Sequence, residues 1–115
     1  MTKCVVLWIS RRKAIIVSTT DGVEEISHVE SKARRRAEGT PQQHLVEYYR
    51  EVIHPILDAQ SIFIFGPAQA KMELKSEILK VETLSNRVVG TETANTMTED
   101  QLVARAREMC GSQAG

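Results

Sequence analysis

Two clusters of basic side chains are the residues of this sequence best suited to chemistry with another molecule. Lys32, Arg34, Arg35 and Arg36 lie close together, and Arg11, Arg12 and Lys13 are consecutive. Local clusters of this kind bind phosphate backbones through charge and counterion release, without any base-specific contact. A solvated charge run is the plainer use of the same residues, although three successive arginines in a loop are unusual for solubility alone. A weaker candidate is Gly66-Pro67-Ala68, which ends an apolar run and leads into helical sequence, a place where a helix N-terminus can receive an anion. Lys71 would reach such an anion, or else pair on the exposed helix face. Pro67 removes one donor and no phosphate-binding glycine pattern accompanies it, so a structural turn is the leading reading there.

Other chemistries find little support. His28, His44 and His54 are spread along the chain with no Ser or Cys nucleophile in a recognisable motif, and read as surface or capping residues. Cys4 and Cys110 form no CxxC pair and have no His at metal-ligand spacing, so reduced thiols in a cytoplasmic protein are expected. Cys110 falls near a helix C-terminus, which does not lower a thiol pKa. No metal or other cofactor is expected, and binding rather than catalysis is the expected activity.

These residues have to be positioned by one fold unit. The chain has 115 residues, 42% hydrophobic and 26% charged, the balance of a single globular domain. One domain over residues 1–110 is expected, followed by a flexible tail over residues 111–115. Fifteen basic and fifteen acidic residues cancel, so any attraction to nucleic acid must be local. Aromatics are only 4%, too few for a sheet that stacks bases on aromatic rings. The longest apolar runs fall far short of the ~20 residues of a membrane span, and neither export nor membrane contact is expected.

The element order follows from periodicity. Cys4 to Ile9 and Ala14 to Ser18 are β-branched-rich runs around a basic turn, Asp21-Gly22 is a second turn, and Val23 to Val29 reads as a third strand. Glu30 to Gln43 lacks apolar periodicity and reads as a mobile, basic loop. Leu45, Tyr49, Val52, Ile53 and Ile56 mark an amphipathic helix from Pro41 to about Ala59, with a kink or break at Pro55. Ser61 to Phe65 is a buried central strand. Pro67 opens a second helix on Ala70, Leu74 and Ile78, with Lys71, Glu73, Lys75 and Glu77 facing water. Arg87 to Gly90 is a fifth strand, and the Thr98-Glu99-Asp100-Gln101 capping box starts a third helix that Gly111 ends.

This is an α/β chain with a ribonuclease H-like mixed sheet of about five strands: a three-strand antiparallel meander, then alternating helix and parallel strand, with three helices. The segment Ile62-Phe63-Ile64-Phe65-Gly66-Pro67-Ala68-Gln69-Ala70-Lys71-Met72-Glu73-Leu74 resembles the strand, turn and helix start in the middle domain of eukaryotic and archaeal class-one release factors and of Pelota. The chain is also similar to small bacterial translational machinery component-like proteins, with Trp8-Ile9 and the run Glu92 to Thr98 as further marks. The resemblance covers about Val5 to Met109. It implies a translation-associated role in which ribosomes or structured RNA are the partners.

The sequence departs from that family at the loop before the long helix. Where the family's release factors carry Gly-Gly-Gln for peptidyl-tRNA hydrolysis, this chain reads Glu38-Gly39-Thr40-Pro41-Gln42-Gln43. Pro41 fixes its own torsion and restricts Thr40, so the backbone freedom of two glycines is missing. The first strand also lacks the carboxylate with which ribonuclease H-like nucleases hold metal ions. The expectation is therefore a non-catalytic RNA-binding or ribosome-binding module using its basic residues. Two alternatives stand beside it: a residual esterase or peptidyl-tRNA hydrolase acting through Gln42 or Gln43, and a domain that forms a homodimer through the third-strand edge.

Overall fold

A computed structural model describes residues 3–31 and 41–111. The elements are β1 (Lys3–Ile9), β2 (Lys13–Thr20), β3 (Val23–Glu30), α1 (Pro41–Ile53), β4 (Ser61–Gly66), α2 (Ala68–Leu79), β5 (Val88–Thr93) and α3 (Glu99–Gly111). The strands form one sheet in the order β3-β2-β1-β4-β5. The meander β1-β2-β3 is antiparallel, and β4 and β5 run parallel to β1. This is the mixed five-stranded sheet expected from the sequence.

β1 takes the centre because it has no polar face to give to water: Cys4 to Ile9 are all buried. Alternate residues face opposite layers. On one side Val5, Leu7, Ile9, Ala14, Ile16, Ile62 and Ile64 pack under α1, the turn that follows it and α2, through Tyr48, Val52, Ile56, Leu74 and Ile78. On the other side Val6, Trp8, Ile15, Val17 and Phe65 pack under α3, through Leu102 and Ala106. Each fully buried Ile or Leu contributes roughly 2 kcal/mol.

Local signals set the element ends. Asp21 and Gly22 both have positive φ, 51° and 81°, the conformation of a tight hairpin turn between β2 and β3. α1 stops at Ile53 and gives way to a 3₁₀ turn over His54–Ile56 that contains Pro55, as the proline requires. At the start of α3, Thr98 Oγ1 accepts from the Gln101 N–H at 3.1 Å and Gln101 Oε1 accepts from the Thr98 N–H at 3.0 Å, a reciprocal cap. β5 runs three residues beyond the expected Gly90, because its ladder with β4 continues to Gly66 and Thr93.

Two expectations are corrected. The cysteines are not free thiols: Cys4 and Cys110 form a disulfide, with Cα atoms 5.8 Å apart across a sequence separation of 106. They meet because α3 lies along β1 with its last turn over the strand's start, which spacing in the sequence does not reveal. On α2, Lys71 is buried rather than exposed, whereas Met72 and Leu79 are exposed.

The end of β1 is held by side chains from both helices of the first layer. The Tyr48 hydroxyl donates to the Ser10 carbonyl at 2.9 Å. The Tyr49 hydroxyl donates to Glu73 Oε1 at 2.6 Å, and Arg11 donates to both oxygens of the same carboxylate, at 3.2 and 2.7 Å. The Arg11 hydrogen bond holds the Glu73 carboxyl below its ordinary value, with the Tyr49 hydrogen bond adding to it and partial burial opposing it. Burial, then Glu73, pushes the Tyr49 hydroxyl up.

At Gly66 the backbone of β4 lies against the backbone of β1 at Ile9. Its φ is +152°, and a Cβ there would overlap the Ile9 carbonyl. Gly66→Ala is expected to destabilise the fold by roughly 3 kcal/mol, through torsional strain and overpacking, measured by chemical denaturation. Glu73 gives a pH test. A carboxyl depressed in the folded state stabilises above its unfolded value near 4.5, and that stability is lost as pH falls through the lower folded value. Wild type is therefore expected to be more stable than Glu73→Gln at about pH 6, with the gap closing below about pH 4.

Candidate nucleic-acid interface

Ser10 shapes the turn that carries the first basic cluster. Its N–H donates to the Lys13 carbonyl at 2.9 Å, and its hydroxyl oxygen accepts from the N–H groups of Arg12 and Lys13, each at 3.2 Å. A short hydroxyl side chain that bonds to the backbone two and three residues on is the usual way such a turn is closed. The turn projects from the centre of the sheet, where β1 ends and β2 begins.

The same turn receives the end of β3. Lys13 stands opposite Glu30 in the ladder, and the Ser31 N–H donates to the Arg12 carbonyl at 2.8 Å. Lys32 follows Ser31 in sequence, so the segment that contains the second basic cluster starts beside Arg12. Lys32, Arg34, Arg35 and Arg36 themselves, with Gly39 and Thr40, lie outside the described residues. Gln42 and Gln43 fall in the first turn of α1.

The structure separates the first cluster into bound and available charges. Arg11 is committed to Glu73, which raises its pKa further. Among the described residues, the side chains of Arg12 and Lys13 have no hydrogen-bond or ion-pair partner, and both are exposed. Glu30 opposite Lys13 offsets part of its charge, which leaves Arg12 as the least compensated cation of the turn.

The second candidate, the turn at Gly66 and Lys71, lies at the same end of the sheet. Lys71 is only 8% exposed, and its Nζ donates to Thr93 Oγ1 at 2.9 Å. The ammonium bridges the end of β5 to α2, its stem buried and its head turned to a surface hydroxyl, which is a packing role. Gly66 serves the close approach to Ile9. Sequence reasoning missed Tyr49, Glu73 and Thr93 as partners here, because each contact joins residues 22 or more positions apart.

Elsewhere the charged surface is largely self-paired. Arg107 forks onto Glu24 at 3.1 to 3.3 Å, His28 Nε2 meets Glu99 Oε1 at 2.7 Å, and Arg105 contacts Glu92 and Glu108. Arg105 also lies 5.4 Å over the Phe65 ring, and Phe65 is itself buried. Among the described residues no three His, Cys, Asp or Glu side chains come together as a metal site, and no helix is long and apolar enough to cross a membrane.

No protein-family model matches the sequence, and no curated protein matches it. Solved structures do. The Pelota protein of Thermoplasma acidophilum matches 98% of this chain with a TM-score of 0.68 at 15% identity. Pelota of Archaeoglobus fulgidus matches 97% with a TM-score of 0.64 at 14% identity. The archaeal translation termination factor aRF1 matches 97% with a TM-score of 0.61 at 14% identity. The chain spans about a third of the length of each, 34%, 32% and 36% respectively. In fold, this chain is an α/β domain with a five-stranded mixed sheet, similar over nearly its whole length to about a third of Pelota and of the archaeal termination factor.

Proposed function

We propose that this chain is a translation-associated, non-catalytic module of the cytoplasm that binds structured RNA, with the ribosome as its target, through the cationic end of its sheet. The observation that carries the reading is the bond from the Ser31 N–H to the Arg12 carbonyl. It brings the exposed Arg12 and Lys13 beside the start of the segment that holds Lys32 and Arg34 to Arg36. Ser31 is followed in sequence by the second basic cluster, so the cationic turn and that cluster are close along the path of the chain in a protein with no net charge, where phosphate binding has to rest on local charge. The fold shared with Pelota and the termination factor supports the translation setting. Arg11 and Lys71 take no part in this reading except to hold the turn and the strand ends in place.

A second reading draws on the sheet edge. β3 is an edge strand, and Val23 and Ile26 on it are 62% and 43% exposed, so a second copy could pair there. Glu24, Glu25 and Glu30 on the same strand oppose that use by charge.

RNA binding is to be measured across a salt series for wild type, an Arg12→Ala/Lys13→Ala variant and an Arg34, Arg35, Arg36 to Ala variant. Wild type is expected to bind with a salt slope that drops by roughly 0.7 to 0.9 for each phosphate contact removed, in both variants. Equal slopes in all three proteins, or no binding at low salt, would overturn the proposal. For the edge strand, light scattering at high concentration is expected to show a dimer that Ile26→Lys converts to monomer; a wild-type monomer removes the second reading.

A further inference from the structure

The two buried side-chain oxygens without a hydrogen-bond partner among the described residues are Thr19 Oγ1 and Ser61 Oγ. They sit in one place. Thr19 on β2 and Ser61 on β4 are the direct register partners of Cys4 on either side of β1. Residues opposite one another in a ladder point to the same face, so the side chains of Thr19 and Ser61 stand on either side of Cys4 on the face that carries its sulfur. Leaving one buried hydroxyl unpaired is costly, and leaving two beside the same cysteine calls for an explanation. A disulfide sulfur offers no donor and is a poor acceptor. A thiol can donate, and a thiolate accepts strongly.

We infer that Cys4–Cys110 is a reversible redox clasp on helix α3, with Thr19 and Ser61 placed to stabilise the reduced state of Cys4. Both cysteines are more than nine-tenths buried, at 8% and 6% exposure, but their settings differ. Cys4 lies in the central strand, whereas Cys110 is in the last turn of α3, where local opening costs least. An external dithiol therefore reaches Cys110 first. Its thiolate attacks Cys110 Sγ, the Cys4–Cys110 bond breaks, and the electron pair leaves on Cys4 Sγ as a thiolate that accepts hydrogen bonds from Thr19 and Ser61. The second thiolate of the reductant then attacks the mixed disulfide and frees Cys110. Protons from solvent complete the two thiols, and the dithiol becomes a disulfide, two electrons having moved.

Reduction loosens the end of α3 without releasing the helix. Leu102 and Ala106 remain buried on the sheet, and the pairs Arg107–Glu24 and His28–Glu99 still tie α3 to β3. The clasp is thus a two-state element at the end of β1 opposite the basic turn, and it stands independently of any RNA reading.

The test treats the native protein with dithiothreitol, without denaturant, and follows both sulfurs by maleimide labelling while near-ultraviolet circular dichroism of the buried Trp8 reports the fold. Both cysteines are expected to label with the Trp8 signal retained, and hydrogen exchange is expected to rise in the last turn of α3 only. A Thr19→Val/Ser61→Ala variant is expected to reduce about tenfold more slowly, since hydrogen bonds to a charged leaving group are lost. Thr19→Ser, which keeps the hydroxyl, is expected to match wild type; should the double variant misfold, Thr19→Val alone against Thr19→Ser makes the same comparison. Reduction only after denaturation would show a purely structural cross-link and overturn the inference, as would equal rates in the valine and serine variants.

Discussion

A strand with no polar face must be covered on both sides, and β1 imposes that demand on the whole chain. Cys4 to Ile9 are buried without a break, so α1 and α2 close one side and α3 the other. The meander and the parallel strands are arranged outward from it in the order β3-β2-β1-β4-β5. What happens at its two ends then follows. Its start lies under the last turn of α3, which brings Cys4 to Cys110. Its far end becomes the Ser10 turn, presented where two helices and three strand ends converge.

At that far end the fold divides its cations into those that build and those without a side-chain partner among the described residues. Arg11 closes on Glu73, which also accepts from the Tyr49 hydroxyl, and the turn is thereby tied to both helices of one layer. Lys71 secures β5 to α2 through Thr93. Arg12 and Lys13 remain exposed, and their local field matters because the protein as a whole is neutral. Exposed ion pairs of this kind contribute little stability one by one, so the clasp around Glu73 serves chiefly to fix direction.

The strands and helix ends were legible in the sequence because their signals are local. β-branched runs marked β1 to β4, Pro55 marked the end of α1, and Thr98 with Gln101 marked the start of α3. β5 was read short because Gly90 to Thr93 has no apolar alternation; the ladder with β4, not its own composition, makes it a strand. The burial of Lys71 was missed for a related reason. Its place in the helical period faces the sheet, and only the position of Thr93, 22 residues on, shows where its ammonium goes. The basic residues of the turn were read from composition alone. That Arg11 is occupied, while Arg12 has no side-chain partner among the described residues, could not be read there, because Glu73 is remote in sequence. The disulfide was invisible for the same reason, since 106 positions separate its ends.

The most direct test of the cationic-end account is a chemical-shift map of the isotope-labelled protein titrated with a structured RNA. The expected result is that backbone amides of Ser10 to Lys13, Glu30 and Ser31 shift together with those of residues 32–40, while β5 and α3 stay still. Shifts centred on β5 or on the exposed face of α3, with the Ser10 turn unmoved, would contradict it.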